Sequence, residues 1–282
     1  MEGLGATLTS LIRNCSQSKT LKLWFLCSEL GENDKRNIQQ LLKAEAFEGE
    51  LKFIDFDAKK KFGHLTSLHG DWTTYGRLLI PDIIESDTAV YLDSDLIINI
   101  DILEFNSIKI DKILSAVNGS EILYTLDGTF LIEKLNLAPD TLYFNAGVLI
   151  FNISSWKANN SKKRLEEIAN QYSNELVSGD QTLLNALCAG DFTHLPKKFN
   201  SPWYPGSPQP QNMNKEVVHF VGSPKPWDFF GKIIHSGRDT WNAYTPPFWK
   251  SQYSGISALK ISRTWKIRRS IFKHLKQKLL SK

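Results

Sequence analysis

The chain has 282 residues, 34 Lys+Arg against 30 Asp+Glu, 41% apolar and 23% charged, which excludes a disordered tail, a collagen-like chain and a small disulfide scaffold. No apolar run reaches the roughly 18 residues of a spanning helix; Met1-Glu2-Gly3-Leu4-Gly5 reads as no signal peptide, and the scattered Cys15, Cys27 and Cys188 read as reduced, buried thiols of a cytosolic protein. The net charge of +4 hides an asymmetry: nine basic residues lie between Ile256 and Lys282 and no acid follows Asp239, so the first 255 residues carry −5. The basic pI belongs to one segment, and no nucleic-acid partner is expected.

Leu4 to Asn14 reads as an amphipathic helix with Leu4, Leu8, Leu11 and Ile12 on one face. Leu21 to Cys27 is a short apolar strand. Asp34 to Ala46 is a helix with Ile38, Leu41 and Leu42 inward, and Leu51 to Phe56 alternates as a strand. Thr73 to Ile84 is helical with a break near Pro81, and Ala89 to Leu92 is a buried strand. This alternation predicts an α/β, Rossmann-like, mostly parallel sheet with helices on both faces. Further strands are expected at Ile122 to Leu126, Tyr143 to Phe151 and Val217 to Phe220, and helices at Ser154 to Asn174 and Gly179 to Ala189. Asn200 to Asn214, rich in Pro, Asn, Gln and Ser, is a long surface loop. A catalytic domain over 1–247 and a basic amphipathic segment over 248–282 are expected. In that segment Ile261, Trp265, Phe272, Leu275 and Leu279 fall on one helical face.

Ligands of open parallel sheets sit beyond the carboxyl ends of strands, so residues there are the candidates for chemistry. Asp93-Ser94-Asp95 follows the strand ending at Leu92. Two carboxylates at that spacing suit a hard divalent cation, or an ordinary strand-end turn. His219-Phe220-Val221-Gly222-Ser223-Pro224-Lys225-Pro226-Trp227 sets an imidazole, a glycine and a lysine on one proline-stiffened loop, a combination suited to an anion; a lone His is otherwise a structural residue. Asn145 and Gly147 interrupt an apolar strand, either as a bulge or as an amide facing a polyol. Asp180 opens a helix beside Gln181, where a capping role is the plain alternative. Arg77 by itself reads as a surface ion pair.

Together and in this order, Tyr75 and Arg77, Leu92 to Asp95, Asn145 to Val148, Asp180-Gln181 and His219 to Trp227 resemble glycosyltransferase family 8, from Gly3 to about Tyr253. Within it, bacterial lipooligosaccharide galactosyltransferases and lipopolysaccharide glucosyltransferases are the look-alikes. The resemblance implies a GT-A fold and retaining, metal-dependent transfer of galactose or glucose from a UDP-sugar to a glycan or glycolipid. It implies that Asp93, Asp95 and His219 ligate manganese, or magnesium, with the imidazole favouring the softer ion. Lys225 and Gly222 would hold the diphosphate. Arg77, Ser94, Asn145, Asp180 and Gln181 would line the donor, with Gln181 and Asp180 at the reacting centre, and Asp127 would face the acceptor. Gln181 is a neutral amide and a poor nucleophile, so front-face attack is expected over double displacement.

Family members open with a strand that contacts uracil and ribose. This chain opens on a helix, so the first strand is expected to be missing and uridine selectivity to be poor. Alternatives are a catalytically weak or inactive relative that binds without turnover, and a metal-dependent nucleotide-sugar hydrolase or pyrophosphorylase. Against hydrolysis, Trp203 and Tyr204 in the long loop suggest a shaped acceptor site, unless Trp203 is core. The basic segment is expected to anchor the protein peripherally on the anionic inner face of the membrane. Deleting 256–282 is expected to cost vesicle binding and to spare activity on a soluble acceptor.

Overall fold

The structure, a computed structural model, describes residues 1–67 and 70–280. Lys282, the last of the nine basic residues, lies outside the described residues. Among the described residues, the strands form three sheets. β1 (Lys22–Cys27) and β2 (Glu50–Asp55) pair in parallel. β3 (Thr88–Leu92), β5 (Leu114–Glu121), β6 (Leu142–Asn152) and β7 (Thr193–His194) form the second sheet, in the order β3-β6-β5-β7. β4 (Leu96–Ile98), β8 (Ser201–Pro202) and β9 (Val217–His219) form the third, in the order β4-β9-β8.

The α/β class follows the expectation, but the strand directions are more mixed than predicted. β3 with β6, β5 with β6 and β4 with β9 run antiparallel, against three parallel pairings. An alternating pattern of helices and strands does not by itself fix direction, because the pairing partner decides it: β6 lies between β3 and β5 and runs antiparallel to both. The strand expected at Ile122 to Leu126 is a 3₁₀ turn (Ile122–Tyr124) with Leu123, Tyr124 and Leu126 exposed. The true strand is β5, just before it. Its small and polar residues and its two register shifts mask the pattern. The helix expected over Ser154 to Asn174 is two, Ile153–Ala158 and Ser161–Gln171, broken where Asn160 takes a left-handed conformation.

Helix α1 (Glu2–Asn14) has two working faces. Leu8, Leu11 and Ile12 are buried, as periodicity predicts. Thr7, Ser10 and Asn14, three and four residues apart, form a polar stripe on one side. Thr7 Oγ1 bonds both the N–H of Leu96 (3.0 Å) and its carbonyl (2.9 Å). Ser10 Oγ accepts from the N–H of Ile98 (2.9 Å), and Asn14 Nδ2 donates to its carbonyl (2.7 Å). Three side chains thus satisfy the free edge of β4, which pairs with β9 on its other side. Buried backbone groups left unmatched would each cost about 1–3 kcal/mol. No strand precedes α1 among the described residues, and β1 pairs with β2 alone.

Body contacts continue past residue 247. Trp249, on the helix Pro247–Tyr253, is fully buried against Leu8 and Ile12, and its indole N–H donates to Met1 O (3.1 Å). The basic segment beyond it forms two helices, Ala258–Lys266 and Arg268–Leu280, rather than one. Ile267 and Ile271 seat them on Ile234, with Leu275 packed alongside. Leu275 therefore leaves the expected outer face, while Ile261, Trp265, Phe272 and Leu279 remain exposed. No helix among the described residues is long and apolar enough to cross a membrane.

Candidate active site

Strand register brings distant residues together. Leu96 pairs with His219 between β4 and β9, and the N–H of Phe220 donates to Asp95 O (3.1 Å), so Asp95 and His219 lie side by side. Leu92 pairs with Val148 between β3 and β6, and the N–H of Asp93 donates to Gly147 O (2.8 Å). His219 then packs on Gly147, where a Cβ would stand 2.2 Å from imidazole Cε1. Only glycine allows that approach. Ligand atoms of Asp93, Asp95 and His219 all lie within 4.8 Å of one another.

On the carboxylate flank, each acid has a fixed counter-charge. Arg77, read alone as a surface residue, is buried between two carboxylates: Nη2 meets Asp93 Oδ1 (3.0 Å) and Nε meets Asp180 Oδ2 (2.9 Å). It also donates to Ala146 O and lies over the Tyr91 ring, 4.4 Å from its centroid. Tyr91 donates to Asp93 Oδ1 (2.6 Å), so that oxygen is committed and Oδ2 turns towards His219 Nε2 (3.9 Å). Burial raises the Asp180 carboxyl above its ordinary range, with Arg77 opposing. Asp180 is the first helical residue after Gly179 and binds Arg77. Lys225 Nζ sits 2.6 Å from Asp95 Oδ2 and donates to Phe220 O. Burial pushes the Asp95 carboxyl up, but Lys225, joined by His219 when its ring carries a charge, outweighs it and holds the group well below the usual carboxylate range.

The amide flank is neutral and locked by backbone. The N–H of Gly147 donates to Asn145 Oδ1 (3.0 Å), and the N–H of Ala146 donates to Gln181 Oε1 (2.9 Å). Those two donors fix which end of each amide is oxygen. Asn145 Nδ2 then donates to Gln181 Oε1 (3.2 Å), and Gln181 Nε2 donates to Tyr143 Oη (2.8 Å), which in turn donates to Asp127. In the other direction, Asn200 Nδ2 donates to Asn145 Oδ1 (3.1 Å), leaving Asn200 Oδ1 as the acceptor 3.0 Å from His219 Nδ1. The proton of a neutral His219 is thereby placed on Nδ1 and the lone pair on Nε2, facing Asp95 Oδ1 at 3.2 Å. In that state both atoms offer electron pairs to one point, where a cation can sit. An O,O,N donor set fits manganese.

The remaining expected residues fall outside this cluster. Ser94 and Gly222 are exposed, Gly222 with a positive φ of 78°. Asp127, expected to face an acceptor, is fully buried. Its oxygens take the Tyr143 hydroxyl, the N–H of Ser178 (3.1 Å) and the hydroxyl of Thr182 (2.7 Å), which leaves no open face for a sugar. Trp203 is core, donating to Ser236 Oγ (3.0 Å), while Tyr204 is exposed. Tyr91, Tyr143 and Asn200 escaped the sequence reading. Tyr91 and Tyr143 sit two residues from Asp93 and Asn145 respectively, on the same strand face, a signal available in the sequence. Asn200 offered none, being one of several amides in a loop.

The fold is that of the GT-A glycosyltransferases, and Asp93, Asp95 and His219 form its candidate cation site. Galactosyltransferase LgtC, solved in complex with donor and acceptor sugar analogs, aligns with a TM-score of 0.69 over 89% of this chain and 95% of its own, at 23% identity. The glycosyl transferase family 8 model matches residues 1–231, and the chain belongs to that family. It is 25% identical over 260 residues to general stress protein A of Bacillus subtilis (strain 168), covering 86% of this chain and 87% of that protein. It is 24% identical over 241 residues to a lipopolysaccharide 1,3-galactosyltransferase of Salmonella typhimurium (strain LT2), covering 81% and 70%. Of several streptococcal glycosyltransferases it spans about half the length or less.

Proposed function

We propose that the protein transfers galactose or glucose from a UDP-sugar, with retention, to a glycan or glycolipid acceptor in surface polysaccharide or lipopolysaccharide assembly. The observation that carries this is the meeting of Asp93, Asp95 and His219 beside a Gln181 whose amide is fixed at both ends. Kinship with a lipopolysaccharide galactosyltransferase supports the acceptor class. Asp93 Oδ2, Asp95 and His219 Nε2 would hold manganese, which when bound supplies Lewis-acid stabilisation to the departing diphosphate.

The chain's own residues set the rest. Lys225 adds positive charge for the leaving group once it exchanges Asp95 for phosphate. Arg77 keeps Asp180 paired, so that carboxylate serves sugar hydroxyls rather than attacking the anomeric carbon. Gln181 presents a neutral amide there, and the departing phosphate takes the acceptor's proton in a front-face displacement. The exposed Ile261, Trp265, Phe272 and Leu279, flanked by lysines and arginines, would rest on the anionic inner leaflet near a lipid-linked acceptor, each nearby cation contributing about 1 kcal/mol.

Incubation with manganese, labelled UDP-sugars and a lipid-linked acceptor tests the assignment. Transfer with retained configuration is expected. Release of free sugar alone would favour a hydrolase, and binding without turnover an inactive relative. Gln181→Ala is expected to slow transfer without abolishing it. Complete loss in a folded variant, with a trapped glycosyl adduct on the wild type, would overturn front-face attack.

A further inference from the structure

The loop that carries Lys225 is held from outside the family-matching body. Residues 1–231 match the family, yet polar anchors of this loop come from beyond them: Arg238 Nη1 donates to Pro226 O at 2.7 Å, and the C-terminal helices supply the rest. Arg263 grips Asp228 in a fork, Nε to Oδ1 at 2.7 Å and Nη2 to Oδ2 at 3.0 Å. Asp228 is buried, and its Oδ2 also accepts the backbone N–H of Lys225 at 2.7 Å. Arg263 Nη2 lies 3.5 Å from Ser223 Oγ, and Ser270 Oγ donates to Ser223 O. Beneath these bonds, Ile267 and Ile271 seat the helices on Ile234, at the far end of the same loop region. Lys260 ties the same helix to Glu2 at 2.7 Å.

A two-pronged guanidinium bond to a buried carboxylate has low freedom. The carboxylate it holds is itself bonded to the main chain of Lys225, three residues away. Turning Arg263 loose leaves a buried carboxylate short of its counter-charge and frees the Lys225 backbone to drift from Asp95. The reach of the Lys225 ammonium is therefore set by a residue 38 positions later, in the basic segment.

We infer that Arg263 is a positioning residue for the donor site: through Asp228 it fixes Lys225, so the C-terminal helices are part of the grip on the donor diphosphate as well as a candidate surface anchor. This rests on the nucleotide-sugar reading above. It also changes the expectation for truncation, because removing 256–282 takes away Arg263 and Ser270 and so is expected to weaken donor binding even with a soluble acceptor.

The test is UDP binding by calorimetry with manganese present, in the full chain, for wild type, Arg263→Gln, Lys225→Gln and the double variant. Arg263→Gln is expected to weaken UDP about tenfold, Lys225→Gln at least as much, and the double variant no more than Lys225→Gln alone. Manganese binding without nucleotide is expected not to weaken in Arg263→Gln. Arg263→Lys, which keeps the charge and loses the fork, is expected to fall between wild type and Arg263→Gln, and it serves as the probe if Arg263→Gln does not fold. Undiminished UDP affinity in Arg263→Gln, or in Arg263→Lys where that variant replaces it, would overturn the inference. So would losses that simply multiply in the double variant, or a parallel loss of manganese binding, which would mark a general collapse of the site. Failure of the wild type to bind UDP at all would instead sink the nucleotide-sugar reading.

Discussion

The two flanks of His219 are built on opposite principles. The carboxylate flank holds Asp93, Asp95 and Asp180 by ion pairs with Arg77 and Lys225. The amide flank holds Asn145, Gln181 and Asn200 by hydrogen bonds rooted in the backbone N–H groups of residues 146 and 147. Charges held by charges can exchange partners when a cation or an anion comes near. Amides rooted in a strand cannot turn without breaking backbone bonds, so they keep the His219 lone pair and the Gln181 amide aimed. One flank is made to rearrange and the other to stay put.

The largest expected effect tests the rearranging flank. Asp95→Ala removes a ligand and the partner of Lys225, and is expected to cut transfer by about a thousandfold or more and to abolish manganese binding while the fold persists. Retained metal binding, read by calorimetry, would show that the cluster is not the cation site. Next, Asn200→Ala frees the His219 ring and leaves Nδ1 without its acceptor; manganese affinity is expected to fall about 10- to 100-fold. An unchanged affinity would mean that the tautomer is fixed elsewhere and that the amide flank is not what holds it.

A smaller effect of opposite sign separates the flanks further. Lys225 Nζ already neutralises Asp95, so Lys225→Met is expected to raise manganese affinity a few-fold in the absence of nucleotide, roughly 1 kcal/mol, while weakening UDP. A loss of manganese affinity would make Lys225 part of the cation site's scaffold rather than a competitor for it. The last prediction separates the fold from both flanks. Burial among Trp203 and Phe220 pushes the His235 imidazole down to about 4. The unfolded chain therefore binds the proton more readily, and the stability from the neutral ring, at most about 3 kcal/mol, is present above pH 6.5 and lost as pH falls towards 4. Chemical denaturation across that range is expected to show the decline in wild type and a flatter profile in His235→Phe. An identical slope in both would place the acid sensitivity elsewhere.

Much of the carboxylate flank was legible in the sequence, because its residue types carry their chemistry openly. Asp93-Ser94-Asp95 after an apolar strand, and His219 with Lys225 on one stiff loop, suggest a cation and an anion wherever they sit. The amide flank was half legible: Asn145 and Gly147 stood out as polar and small within an apolar strand, but Asn200 and Tyr143 did not. Asp127 misled, since a carboxylate after an expected strand looks available until Tyr143, Ser178 and Thr182 are found around it. Arg77 taken by itself reads as a surface ion pair and proves buried between Asp93 and Asp180.

The sequence alone determined the α/β alternation, the family, the candidate metal-ligating residue types and the charge split between body and tail, because each depends on composition, local periodicity or order along the chain. Only the tertiary structure decided the pairing of β4 with β9 that sets Asp95 beside His219, the polar face of α1 that closes the edge of β4, and the reach of Arg263 back to the Lys225 loop. Those are contacts between residues far apart in the chain. Their geometry comes from strand register and helix docking, which the hydrogen-bonding demands of buried backbone and the packing of side chains settle only when all the elements are present together.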